Sequence, residues 1–374
     1  MLMLNRLRLV SLVAASWLAS ALSGCSELPA TPLPPAAGAA EQVAPYRPRP
    51  GHERPLVAVV GHNAGTELVD FLVPYGVLRR SGVAEVVAVS TDAGPMKMRP
   101  GLTLQADATI DQFDQQHAQG ADYVVVPAVL EQNVADPRLQ RWLQGQASRG
   151  AVIVSICDGA LVVAEAGLFK GHRATGHWAT QAMRESRYPD TRWLRNVRYV
   201  DDGTVISSAG VTAALPLSLA LVEAIGGREK AIDLAAQLGI DRWDSAHASE
   251  GFHLRVQDAW VFARNRWLST DDTVEWPVAA DVDEIALALS VDAWGRTMRT
   301  KVEATADTAG PVRSLGGITI VPGAPAAAPA LRQPLLAAAP AQALDRSLDD
   351  IAGRYGRTTA DFVRLQLEYP RPAR

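Results

Sequence analysis

Four short apolar runs limit this fold more than any other feature of the sequence. They are LVAVVG at 56–61, AEVVAVS at 84–90, ADYVVVP at 121–127 and AVIVSIC at 151–157. A strand that is apolar at every position needs cover on both faces, and a parallel sheet flanked by helices provides it. The stretches between the runs supply helices: 67–80, 137–149 behind Asp136 as N-cap, and 159–166 stopped by Gly167. Strand and helix in alternation specify an α/β domain with a doubly wound parallel sheet. A hairpin at 195–208 turning on Asp202-Gly203, then a helix at 213–225 closed by Gly226-Gly227, extend it, so the domain is expected over 55–240.

At 374 residues the chain exceeds one typical domain. Arg6 and Arg8 precede an apolar run at 9–22, the layout of a secretory signal and too short for a bilayer span of ~20 residues. The run ends in Leu22-Ser23-Gly24-Cys25, which resembles the bacterial lipobox, where cleavage precedes the cysteine and its sulfur takes a diacylglycerol. Residues 1–24 are then a signal peptide, Cys25 is the lipidation site, and the Pro/Ala-rich stretch 25–54 is a spacer. A plain signal peptide with a chance cysteine is the alternative. Ser26 after the cysteine implies a cell-envelope protein on the outer membrane, facing the periplasm. The net charge of -4, without a basic stretch, points away from nucleic acid.

Beyond 240 the chain repeats itself. Ala93-Gly94-Pro95 followed by Gly101-Leu102-Thr103-Leu104 recurs without gaps as Ala309-Gly310-Pro311 followed by Gly317-Ile318-Thr319-Ile320. Upstream, Arg80 matches Arg296, Val86 matches Val302 and Ala88 matches Ala304. Residues 277–323 are therefore read as a partial αβ copy of the first helix, strand and hairpin, after a connecting segment at 241–276. The copy lacks a cysteine and has Ala286 in place of Asp70, so it is not a second active site. After an Ala/Pro linker at 324–343, helices at 344–355 and 359–368 break at Gly356. They form a helical hairpin within 344–374, with Leu344, Leu348, Ile351, Phe362, Leu365 and Leu367 for its core. A helix-turn-helix reading is weaker, and a lipid anchor would hold it away from DNA.

Cys25 and Cys157 are the only cysteines. With lipid on the first, the second is a lone thiol in an oxidising compartment, where cysteines are usually paired. Chemistry is one reason to keep it, and a buried apolar cysteine is the plainer one. In Ser155-Ile156-Cys157-Asp158-Gly159 a strand runs straight into a helix, an elbow that lifts the sulfur to the sheet edge. The helix start is expected to lower the thiol pKa, Gly159 to permit close approach, and the N–H of Asp158 to face a forming oxyanion.

Residues 156–178, ICDGALVVAEAGLFKGHRATGHW, resemble the elbow region of ThiJ/PfpI proteins, of the class I glutamine-amidotransferase-like superfamily, and the amidase-like domains of AraC-type regulators. The resemblance implies a flavodoxin-like sheet and places His177 as the family's histidine. Asp70, with Pro74 four residues on, stands where the family has an acidic residue that burial keeps neutral, able to donate to the thiolate or relay a proton. Three features depart from the pattern: Asp158 follows the cysteine, Pro127-Ala128-Val129 replaces a Gly-rich loop, and no acid adjoins His177.

Glu67, one turn before Asp70, is a further supporting acid or only a favourable helix-start charge. His247, Glu250 and His253 have metal-like spacing but cannot share one helix face, so a loop is expected and neither metal nor cofactor. His62 and Asn63 line the pocket or cap the helix. The resemblance implies catalysis by Cys157, Asp70 and His177: hydration or hydrolysis of a small electrophile such as an isonitrile, an aldehyde or an amide. The alternatives are a redox sensor or ligand-binding lipoprotein without catalysis, or a regulator-like protein without a DNA-binding domain. The partners implied are a small molecule, the membrane through lipid, no nucleic acid, and a second copy as a homodimer, unless the half-repeat covers that surface.

Overall fold

The computed structural model describes residues 41–49, 54–307, 310–326, 330–334 and 339–370. The expected signal peptide, Cys25 and most of the spacer lie outside them.

The apolar runs form one seven-stranded sheet. Its strands are β1 (Leu56–Gly61), β2 (Glu85–Ser90), β3 (Ala108–Thr109), β4 (Tyr123–Val126), β5 (Val152–Ser155), β6 (Tyr199–Asp201) and β7 (Val205–Ser208), in the order β6-β7-β5-β4-β1-β2-β3. Every neighbouring pair is parallel except the edge hairpin β6–β7. Successive side chains point to opposite faces. Val57 and Val59 accordingly enter one core, with helices α1 (Leu68–Ser81), α4 (Ala214–Gly226) and α5 (Arg228–Leu238). Ala58 and Val60 enter the other, with α2 (Pro137–Ser148) and α3 (Gly159–Glu165). Asp136 caps α2 as expected, accepting from the N–H groups of Arg138 and Leu139, each at 2.9 Å.

The spacer is not wholly free of the domain. Arg49 donates to the carbonyls of Ala121 and Arg149, and Tyr46 to the carboxylate of Asp122. These contacts fasten 41–49 to the sheet's edge, because the open carbonyls left at element ends match a guanidinium's several donors.

An αβ unit occupies the stretch read as the half-repeat, and it begins earlier than the sequence indicated. Strand β8 (Asp272–Pro277) precedes α6 (Glu284–Gly295) and pairs in parallel with β9 (Thr300–Thr305), while β10 (Leu331–Arg332) takes its other side. The connecting segment therefore ends at 271, and its last part is the copy of β1. DTVEWP, which buries only Val274, Glu275 and Trp276, carries no continuous apolar signal. Helices α7 (Gln342–Tyr355) and α8 (Arg357–Leu367) meet at Gly356, whose φ is +89°, and bury all six apolar residues expected of the hairpin.

Candidate active site

Cys157 sits at the elbow between β5 and α3 with φ +55°, a left-handed conformation that costs a non-glycine residue ~1–3 kcal/mol. Its neighbours hold it there. The N–H of Ile156 donates to Val126 O at 3.0 Å and that of Gly159 to Ile156 O at 2.8 Å. A Cβ on Gly159 would lie 2.0 Å from Val126 O, so the elbow closes only with glycine at this position. Cys157 is 5% exposed. Asp158 turns aside: its carboxylate accepts from Thr180 Oγ1 at 2.6 Å and lies 3.5 Å from the Arg184 guanidinium.

The first turn of α1 brings in the acids. Asp70 is fully buried; its Oδ2 accepts from the Ala128 N–H at 3.2 Å, and its Oδ1 has no partner. Burial lifts its pKa to about 8, against the opposing Ala128 N–H and the charge of Arg296. The acid is thus protonated at pH 7. The Pro127-Ala128 loop gives its amide to this acid and not to an oxyanion site. Glu67 caps α1, accepting from the Leu68 N–H and from Arg296. Burial first, then Asp292, push its carboxyl well above the usual range, with Arg296 opposing.

The thiol runs against the sequence expectation. Burial, then Asp70, Asp158 and Glu67, push it well above an ordinary thiol, and Arg296 alone among the main influences lowers it. Three carboxyl groups around a desolvated sulfur outweigh the dipole of α3, which is only seven residues long.

His177 stands near the elbow but has both ring nitrogens engaged. Nδ1 accepts from the Ala179 N–H at 3.3 Å, and Nε2 donates to Gln366 O at 3.0 Å. Arg184 was not singled out from the sequence: fully buried, it donates to His177 O at 2.6 Å and to Gln181 Oε1 at 2.7 Å, and bonds Thr180. An arginine seven residues past His177 in a polar stretch reads as solvated, so only the fold reveals it. Arg296 was known only as a repeat match.

The remaining candidates fasten loops. His62 Nδ1 meets the Ala64 N–H and Asn133, while the Asn63 amide donates to the carbonyls of Asp92 and Gly94. His247 pairs with Glu368 at 2.8 Å and Glu250 takes a hydrogen bond from Asn196.

Fold and site together define a flavodoxin-like α/β domain centred on an elbow cysteine with a buried acid beside it. Residues 57–224 match the sequence model of the DJ-1/PfpI family. It is 32% identical over 156 residues to the HTH-type transcriptional regulator CdhR of Pseudomonas aeruginosa, covering 41% of this chain and 44% of the regulator. It is 28% identical over 173 residues to an isonitrile hydratase of Pseudomonas putida, covering 46% of this chain and 72% of that enzyme. The crystal structure of Drosophila melanogaster DJ-1beta aligns at 23% identity and a TM-score of 0.45, over 50% of this chain and all of that one.

Proposed function

We propose that the domain is a cysteine-dependent hydratase or hydrolase for a small electrophilic molecule, with isonitriles the first class to test. The observation that carries this reading is the strained Cys157 within the electrostatic reach of a fully buried Asp70 that holds its proton at pH 7. Strain at a sparsely populated φ persists where the surroundings enforce it, and a carboxyl kept neutral by burial is a proton donor in waiting. Sulfur adds to the electrophilic carbon, forming an S–C bond. The proton relayed by Asp70 neutralises the charge left on the substrate. Water then attacks the same carbon, the S–C bond breaks, and the proton water gives up returns to the site. The isonitrile hydratase among the relatives is the ground for placing that substrate ahead of aldehydes and amides.

Purified protein should turn over at least one of the three substrate classes, and Cys157→Ser should abolish it. Turnover that survives the substitution would sink the reading. We also propose that the domain works in the cell envelope on a lipid at Cys25, on the strength of the leader and its lipobox-like end. Labelled fatty acid should enter the wild type and not Cys25→Ala; equal labelling of both would refute the anchor.

A further inference from the structure

The contacts between 56–105 and 272–321 obey a local two-fold rule. At one constant offset along the chain, β1 becomes β8, Glu67 becomes Asp283, Arg80 becomes Arg296 and Leu104 becomes Ile320. Arg80 pairs with Asp283 at 2.8 Å, and Arg296 pairs with Glu67: one contact made twice with the partners exchanged. Strand Thr103–Gln105 lies antiparallel to its own copy, Thr319–Ile320, with Leu104 opposite Ile320, so a residue meets its counterpart on the axis. Helices α1 and α6 can approach because position 76 is glycine, where a Cβ would lie 2.6 Å from Glu284 and 2.8 Å from Ile285. An interface in which i meets j and j meets i is the signature of two identical protomers, and two unrelated αβ units have no reason to show it.

The two ends of this axis have diverged. Arg80 pairs with Asp283 and Glu284, and Ala286 takes the sequence position of Asp70. Around Arg296 the first copy supplies Glu67 and Asp70, the elbow after β5 supplies Cys157, and the second copy supplies Arg296 itself and Asp292. Asp292 occupies the place of Gly76, so the carboxylate that anchors the arginine has no first-copy equivalent. The Nε of Arg296 donates to both Asp292 oxygens, at 2.9 and 3.0 Å, and its carbonyl accepts from Gln366 at 2.9 Å.

We propose that residues 272–321 are a built-in second protomer that delivers Arg296 to the Cys157 site as a positioning residue. Anchored on Asp292 and Glu67, the guanidinium is the fixed cation that favours the Cys157 thiolate. This rests on the reading of Cys157 as the reacting group. The charged groups facing the site are Glu67 and Asp70 from the start of α1, Asp158 from the elbow, Arg184 from helix Gln181–Arg187, and Asp292 with Arg296 from α6. Among the strongest influences on the sulfur, Arg296 is the one that favours its anion.

The test is the pH profile of Cys157 alkylation in the full chain, read on the Cys157 peptide by mass spectrometry. Arg296→Met should raise the midpoint by about one unit, a tenfold slower reaction below it. Asp292→Asn, which removes one of the two carboxylates paired with Arg296, should lower it. Arg80→Met, which breaks the same contact at the other end, should leave the midpoint in place. An unmoved midpoint in Arg296→Met, or an equal shift in Arg80→Met, overturns the proposal. Should Arg296→Met fail to fold, the downward shift in Asp292→Asn decides, and its absence overturns the proposal as well. Alkylation reads the thiol without substrate, so a failed turnover assay would remove the enzymatic reading and leave this result interpretable.

Discussion

A carboxylic acid kept protonated in the first turn of α1 costs the fold stability. The pKa of Asp70 rises from 3.8 to about 8, so its contribution is whole below pH ~4 and is lost as pH rises through 8. Each unit is ~1.4 kcal/mol, which amounts to a few kcal/mol at neutral pH. Asp70→Asn keeps an acceptor for the Ala128 N–H and removes the ionisation. Its Tm should exceed that of the wild type at pH 7.5, with the gap closing toward pH 4. A gap of equal size at both pH values would show that desolvation of the acid is not the cause. Cys157, Gly159 and Asp70 were legible in the sequence because local chain geometry and short motifs fix them. The direction of the thiol shift was not, since it depends on Arg296 and on acids brought from α1 and the elbow to one buried point.

At the scale of elements, the C-terminal hairpin was legible from its apolar spacing, but its place over the site was not. The end of α8 closes on the loops around the elbow: Trp178 donates to Leu365 O, and the Gly210 N–H donates to Glu368 Oε2 at 2.5 Å. Thr212 donates to Glu368 O at 2.9 Å, and His247 holds the other carboxylate oxygen. Such contacts join residues more than a hundred positions apart and leave no periodic trace. Glu368, itself buried, is the latch. Glu368→Ala should therefore speed alkylation of Cys157 several-fold at every pH while leaving the midpoint unchanged. A rate equal to the wild type would mean that the hairpin does not limit access to the sulfur.

Across the whole molecule, one apolar core runs from the α1 face of the sheet through α6 into the hairpin, joining Leu72 and Val77 to Ile285, Leu287, Leu344 and Ile351. Segments that the sequence divides by linkers thus share a single interior. The repeat was visible through its Gly-Pro turn and hairpin, whereas its first strand was hidden by a polar, proline-ended sequence. The account as a whole turns on Cys157 as a desolvated thiol whose titration is governed by the buried acids around it, Asp70 first. Its most direct test is the alkylation rate of Cys157 against pH in the wild type and in Asp70→Asn. The account predicts a wild-type midpoint above the ~8.5 of a free thiol and a lower one in Asp70→Asn, because after burial Asp70 is the largest influence raising the thiol. A midpoint that is the same in both proteins would contradict it.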